Sequence, residues 1–162
     1  MCGEWLEEED YAMTDAVREL KIRAEILHKK NRDAAPAKRR RDCLNQIARQ
    51  WGFSSFLAAK AMLTGAEDAV EFGTLLYPKY GPTLNAWYAD YEVAKSDRES
   101  KQGYLLAYKK DFLVVGRNFI ESLALDPDDP DWPAMGYDWV KPASVAARTR
   151  LYAKLVAGLP RT

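Results

Sequence analysis

The chain is poor in the residues on which common enzyme chemistries rest: 162 residues hold one histidine, His28, and two cysteines, Cys2 and Cys43. A lone histidine beside Lys29 and Lys30 cannot supply a histidine-based metal site, and neither cysteine stands at ligand spacing from it. His28 therefore reads as a surface or half-buried structural residue. A Cys43 and His28 nucleophilic pair would need a third, orienting group, and the sequence indicates none. Two cysteines also make no disulfide framework, which predicts a reduced, intracellular protein.

Glycine is present only as nine scattered residues, so there is no phosphate-cradling loop, dinucleotide fingerprint or nucleophile elbow, and no cofactor is expected. Long apolar runs are missing too. Nothing approaches the roughly 20 residues a membrane helix needs, and the acidic amino terminus is the opposite of a signal peptide's basic start. The expectation is a cytoplasmic protein without a membrane partner. Charge of one sign is not in excess either, with 24 basic and 24 acidic residues. No global field attracts nucleic acid or an anionic membrane.

What is present is apolar and aromatic mass. A hydrophobic fraction of 48% with five Trp and nine Tyr offers ample surface to offset chain entropy, so a packed core is expected. The charge, although balanced, is unevenly spread. Residues 1–12 carry Glu4, Glu7, Glu8, Glu9 and Asp10 without a Lys or Arg, whereas residues 13–60 carry 12 basic and 5 acidic residues. Such an acidic tail can pair with the basic segment or compete with an acidic partner for it. Met13 followed by Thr14 and Asp15 has the form of a natural start, because Thr14 can cap the following helix, so residues 1–12 read as an extension.

Hydrophobic spacing predicts a helix from Thr14 to about Lys30 through Val17, Leu20, Ala24 and Leu27. A second runs from about Ala37 to Trp51, burying Cys43 or Leu44 with Ile47 and Ala48, and stops at Gly52. Ser54 or Ser55 caps a third through Leu63, ended by Gly65. Residues 66–78 read as a short helix and a short strand, with 72–77 the candidate strand. Leu84, Trp87, Tyr88, Tyr91 and Ala94 then mark an amphipathic helix. Gly103 to Gly116 reads as a hairpin around Lys109, Lys110 and Asp111. Asn118 with Glu121 suggests a capping box for a short helix through Leu125. A closing helix spans Ala143 to Ala157, before Gly158 and Pro160. The fold class is α+β and mainly helical: a three-helix unit over 13–65 packed on a 66–162 unit with a hairpin at 103–116 or a three-stranded antiparallel sheet.

Three constellations are candidate sites. Asp126, Asp128, Asp129 and Asp131 suggest a hard cation, but Pro130 and Pro133 stand where calcium ligands or flexibility would be needed, so turn chemistry is the better reading. No metal is expected. Trp87, Tyr88, Tyr91, Tyr104 and Tyr108, with Tyr77 and Tyr80, could line a ligand pocket or simply fill a core. Carboxylates such as Glu92, Asp111 and Glu121 fall in no pattern that assigns them a role.

The third is the basic face, with Lys38, Arg39, Arg40, Arg41 and Arg49 joined by Arg18, Lys21, Arg23, Lys29, Lys30 and Arg32. It can contact an acidic protein, or the phosphates of a nucleic acid without reading sequence. The helix, Gly52 break and helix from Lys38 to Gly65 have the outline of a helix-turn-helix. The second helix, Ser55 to Leu63, offers almost no group that reads base edges. The leading expectation is thus a non-enzymatic binding or adaptor protein. A small-molecule binder or enzyme with a Tyr/Trp-lined pocket is one alternative, and a nucleic-acid binder with a degenerate helix-turn-helix is another.

The run from Cys43 to Gly65, with Ile47, Ala48, Arg49, Gly52, Phe53, Ser54 and Ser55, resembles a short helical module of bacterial glyoxalase-related proteins. Together with Gly103 to Trp139, which carries Tyr104, Leu105, Leu106, Ala107, Tyr108 and the Asp-Pro pairs, the whole resembles an uncharacterised family of bacterial proteins. The resemblance implies no activity and assigns no site residue, since the metal ligands of a true glyoxalase are not recognisable.

Overall fold

The computed structural model describes residues 14–34, 36–77 and 86–161. The acidic segment 1–12, Tyr80 and Leu84 lie outside them. Thr14 caps α1 (Asp15–Lys30) by accepting from the Val17 N–H, and its hydroxyl donates to the Leu63 carbonyl at 2.9 Å. One side chain thereby ties the start of the first described helix to the end of the third. Ala16, Val17, Leu20 and Ala24 form the buried stripe, with Asp15 at the positive end of the helix and Lys29 and Lys30 at the negative end.

The second helix, α2 (Arg40–Gln50), starts three residues later than its pattern suggests and buries Cys43, Ile47 and Ala48. Its end is fixed by backbone bonds from Gly52 N to Arg49 O and Phe53 N to Ala48 O, with Gly52 left-handed at φ +86°. Ser55 then caps α3 (Phe56–Thr64), and Gly65 at φ +77° ends it. Both caps fall where the sequence placed them.

Residues 66–77 form neither the helix nor the strand expected there. They run as an irregular strap held from three sides: Thr74 N donates to Trp51 O, Gly73 O accepts from Lys109 N, and the Phe72 carbonyl accepts from the Tyr152 hydroxyl at 3.1 Å. With its polar groups engaged by neighbouring elements, the strap needs no ladder of its own.

The third strand lies elsewhere, at β1 (Ala86–Tyr88), inside the run read as an amphipathic helix. That helix, α4 (Tyr91–Lys101), begins only at Tyr91 because Asp90 caps it, accepting from Val93 N at 3.0 Å. Trp87 and Tyr88 instead pair with Leu113 and Phe112. The spacing that satisfied a helix also satisfied an aromatic strand followed by a cap.

β2 (Tyr104–Tyr108) and β3 (Asp111–Val115) form the expected hairpin, with Lys109 at φ +55° in its two-residue turn, and the antiparallel order is β1-β3-β2. The outer edge of β2 is covered by a single bridge to Asp138, in which Leu105 N donates to Tyr137 O and Leu105 O accepts from Trp139 N, both at 2.9 Å. α5 (Arg117–Ser122) starts from Gly116 without a side-chain cap, so Asn118 and Glu121 make no capping box. α6 (Asp131–Ala134) and α7 (Val145–Ala157), capped by Ser144, complete the chain.

One face of the sheet delivers Tyr104, Leu106, Leu113 and Val115 to a core shared with α1, α2, α3, α5 and α7. The other packs Leu105 and Val114 on Ala94 of α4. Trp132, Trp139 and Tyr152 are wholly buried, with Trp139 edge-on to Tyr152 at 4.8 Å and Tyr104 edge-on to Trp132 at 4.9 Å. Side chains such as Leu106 and Ile120 each contribute about 2 kcal/mol of transfer free energy.

Two outcomes follow for stability. A Cβ at Gly52 would stand 2.4 Å from Thr74 Cγ2 and 2.5 Å from Thr74 N, so Gly52→Ala lowers the urea midpoint by the equivalent of about 2 kcal/mol or more. An unchanged midpoint would mean that the strap does not press on this corner. Burial pushes the Tyr152 phenol up to about 12, whereas an unfolded tyrosine ionises near pH 10. The native state holds its proton longer, so the stability this group contributes is complete below about pH 10 and is lost as pH rises toward 12. Urea unfolding of Tyr152→Phe across that range shows a shallower decline than the parent; parallel declines would contradict the assignment.

Candidate interaction surface

The eleven basic residues counted on the first two helices divide by what they touch. Arg23 is built into the fold: it pairs with Glu19 at 2.9 Å and donates to the carbonyls of Val156, Leu159 and Pro160. Arg18 pairs with Asp15 at 2.7 Å, and Arg40 reaches Glu25 on α1 at 3.1 Å. Lys38 donates to Gln46 at 2.8 Å. Arg39, Arg41 and Arg49 are exposed and, among the described residues, make no ion pair. The reason is positional: Cys43, Ile47 and Ala48 turn one side of α2 inward, which leaves Asp42 and Arg49 on the opposite side, and Arg41 lies exposed in the first turn.

Four cations later in the chain behave differently. Arg117 grips Asp128 through two bonds of 2.7 Å, Arg150 holds Asp131 at 2.8 Å, Lys154 is bonded to Asp129, and Arg161 holds Glu19 at 2.7 Å. The acid groups respond. The Arg117 guanidinium holds Asp128 below the usual carboxylate range, and Arg161 does the same for Glu19. Burial pushes Asp129 up, but Lys154 and the Asp131 N–H outweigh it and its carboxyl is also lowered. Asp126 accepts from the Asp128 N–H and Asp129 from the Asp131 N–H, so the acidic cluster works as turn chemistry. Among the described residues no three His, Cys, Asp or Glu side chains gather as a metal site requires.

Two concavities lie on this part of the surface. A groove between α1 and α2 is lined by Arg18, Lys21, Ile22, Glu25, Arg40 and Leu44. A shallower hollow on α2 is lined by Lys38, Asp42, Gln46, Arg49 and Gln50. Leu44, one of two alternatives read for the buried position, is half-buried beside the groove, while Cys43 takes the core position. Leu44 and Ile22 give the groove an apolar floor that charge counting did not reveal.

The helix-turn-helix outline, α2 to Gly52 to α3, leads to a poor reading helix. Leu57 on α3 is 74% exposed, and Glu71 accepts from Ser54 N at 2.8 Å and from Ser54 Oγ at 2.6 Å just before the helix begins. A carboxylate there opposes the phosphate that a helix amino terminus would otherwise attract.

The five candidate pocket aromatics fall on two faces of the sheet. Tyr104 is buried, its hydroxyl donating to Pro127 O at 2.8 Å, and Tyr108 packs with Trp87 and Tyr77 on the same side. Tyr88 and Tyr91 lie on the opposite side with Phe112. Tyr91 donates to the buried carboxylate of Asp138 and carries Lys141 over its ring at 4.2 Å; burial and that carboxylate push its phenol up. The half-buried Tyr88 has its phenol pushed up by its hydrogen bond to Asp97, which Lys101 also holds at 3.1 Å. The sheet separates these residues, and they do not share one wall.

Sequence reasoning missed Asp138 and Arg148. Arg148 is 6% exposed and donates to Trp139 O at 2.9 Å, and burial lowers its pKa. Asp138 stands between Tyr137 and Trp139 and Arg148 between Ala147 and Thr149, and no periodic signal marks either as buried. Among the described residues no helix is long and apolar enough to cross a membrane. No protein-family model matches the chain, and no curated protein or solved structure matches it.

Proposed function

We propose that the chain is a non-enzymatic cytoplasmic binding or adaptor protein that docks an acidic protein on the outer face of α1 and α2. The observation that supports this reading is the unequal pairing of its cations: Arg39, Arg41 and Arg49 are exposed without a carboxylate among the described residues, while Arg117, Arg150, Lys154 and Arg161 each hold one. Arginine presents a planar fork that fits a carboxylate through two hydrogen bonds, and the neighbouring Asp42 and Gln46 add acceptors that a polypeptide can use. Phosphate backbones offer no donor to match them.

Magnitudes set the form of the interaction. An exposed ion pair contributes about 0.2–1 kcal/mol, so three arginines steer and orient a partner without holding it tightly. Lasting binding also requires apolar contact, which Ile22 and Leu44 offer in the groove beside Arg40. For duplex DNA the exposed face of α3 offers Leu57 and a carboxylate at its start, which disfavours reading in the major groove.

The test is a titration of the full chain with a labelled glutamate-rich peptide in 50 and 300 mM salt. Micromolar binding is expected, weakened about tenfold by the higher salt and to a similar extent by the combined variant Arg39→Glu, Arg41→Glu, Arg49→Glu. Binding that ignores both salt and charge reversal would remove the proposed surface. Tighter binding of mixed-sequence DNA than of the peptide would replace the acidic protein with nucleic acid.

A further inference from the structure

The strap that follows α3 opens on an acidic projection. After Gly65 the chain makes a tight turn in which Ala69 N donates to Ala66 O at 3.2 Å, and Glu67 and Asp68 stand exposed at its tip. Neither pairs with a cation among the described residues. Residues 61–78 contain no Lys, Arg or His to offset that charge, and Val70, 79% exposed, lies two residues beyond the tip. The turn is fixed at both ends. Ala66 N donates to Ala61 O of α3 at 2.9 Å, and Glu71 accepts from Ser54 N at 2.8 Å and from Ser54 Oγ at 2.6 Å. Two carboxylates and an apolar side chain are thereby presented with little conformational freedom left to lose on binding.

The outer side of α2 carries the matching groups. Asp42, Gln46 and Arg49 follow one another at spacings of four and three and share the shallow hollow with Lys38 and Gln50. Asp42 accepts from the Arg39 N–H at 3.3 Å, and Lys38 donates to Gln46 at 2.8 Å, so the guanidinium of Arg49 is the group in the hollow that is left for a carboxylate. Arg39 and Arg41 stand exposed at the amino-terminal end of the same helix. Resting on the reading that this face takes acidic polypeptides, we propose that the partner is a second copy of this chain, whose Glu67–Asp68 turn seats in the α2 hollow with its carboxylates on Arg49.

The charge balance favours this occupant. With 24 basic and 24 acidic residues, two copies meet without net repulsion, and the local fields of turn and helix then set their orientation. Val70 meets the methylene stems of Gln46 and Arg49, which offer apolar surface beside their polar ends. Turn and hollow are different patches, so the contact is heterologous, and each copy added leaves one turn and one hollow open. Exposed ion pairs and a single valine make a weak contact, dissociating at roughly 0.1–1 mM.

The test is sedimentation equilibrium of the full chain from about 20 μM to about 1 mM protein, at about 50 mM and about 300 mM salt. The weight-average mass is expected to rise past that of a dimer at low salt and to fall back toward the monomer at high salt. Two variants, each confined to exposed side chains, separate the halves of the contact: Arg39→Gln, Arg41→Gln, Arg49→Gln in one, and Glu67→Gln, Asp68→Asn in the other. Each is expected to stay monomeric alone. Their equimolar mixture is expected to form dimers and nothing larger, because it keeps one intact turn and one intact hollow per pair. A parent that is monomeric throughout or stops at a dimer, association that persists in either variant alone, or a mixture that does not associate overturns the proposal. The glutamate-rich peptide keeps the two readings apart. A monomeric parent that binds the peptide through its arginines overturns only the second copy as partner, and a parent that neither associates nor binds the peptide overturns the docking surface as well.

Discussion

The guanidinium of Arg23 joins the first described helix to the last. The end of α7 leaves carbonyls without helical partners, and Arg23 donates to Val156, Leu159 and Pro160 at 2.6–3.2 Å while lying 5.8 Å from the Trp51 ring centre. Glu19, one turn before it, holds both Arg23 and Arg161. With α1 fixed on α7 in this way and on α2 by Leu20, Ala24 and Ile47, the orientation of its remaining side is settled. The stripe of Arg18, Lys21, Ile22 and Glu25 is what that constraint leaves outward, beside Arg40 and Leu44 of α2.

The same logic sorts the other charges. Asp129 and Asp131 are nearly buried and would be costly without Lys154 and Arg150, so those pairs belong to the packing of the 126–134 turns on α7. Asp138 and Arg148 are buried to the same degree and bond mainly to backbone groups and the Tyr91 hydroxyl. Around α2 the cost is absent because the arginines stay in water. A balanced net charge therefore conceals an unequal distribution, with Asp129 and Asp131 paired where the chain packs and Arg39, Arg41 and Arg49 exposed around α2 without an ion pair among the described residues.

Much of this was legible in the sequence. Helices α1, α2, α3 and α7 and the hairpin announced themselves through periodicity, and Gly52, Gly65 and Thr14 marked their ends for reasons of backbone conformation and hydrogen bonding. Residues 66–77 and 86–88 were misread, because their structure depends on partners distant in sequence. Trp87 and Tyr88 pair with Leu113 and Phe112, and the strap at 71–74 bonds to Trp51, Lys109 and Tyr152. No local pattern encodes such contacts. The basic candidates were identified by charge alone, which could not separate the structural Arg23 from the exposed Arg41. The aromatics were grouped by proximity in sequence, and strand alternation then divided them.

The proposed division is between Arg39, Arg41 and Arg49, exposed without a carboxylate among the described residues, and Arg23, Arg117 and Arg150, each held by one. Side-chain Nε–H resonances of the arginines, followed by NMR as a glutamate-rich peptide is added to the full chain, test it most directly. The account predicts progressive shifts at Arg39, Arg41 and Arg49 with Arg23, Arg117 and Arg150 unmoved. Shifts confined to the paired arginines, or spread evenly over all of them, would contradict it.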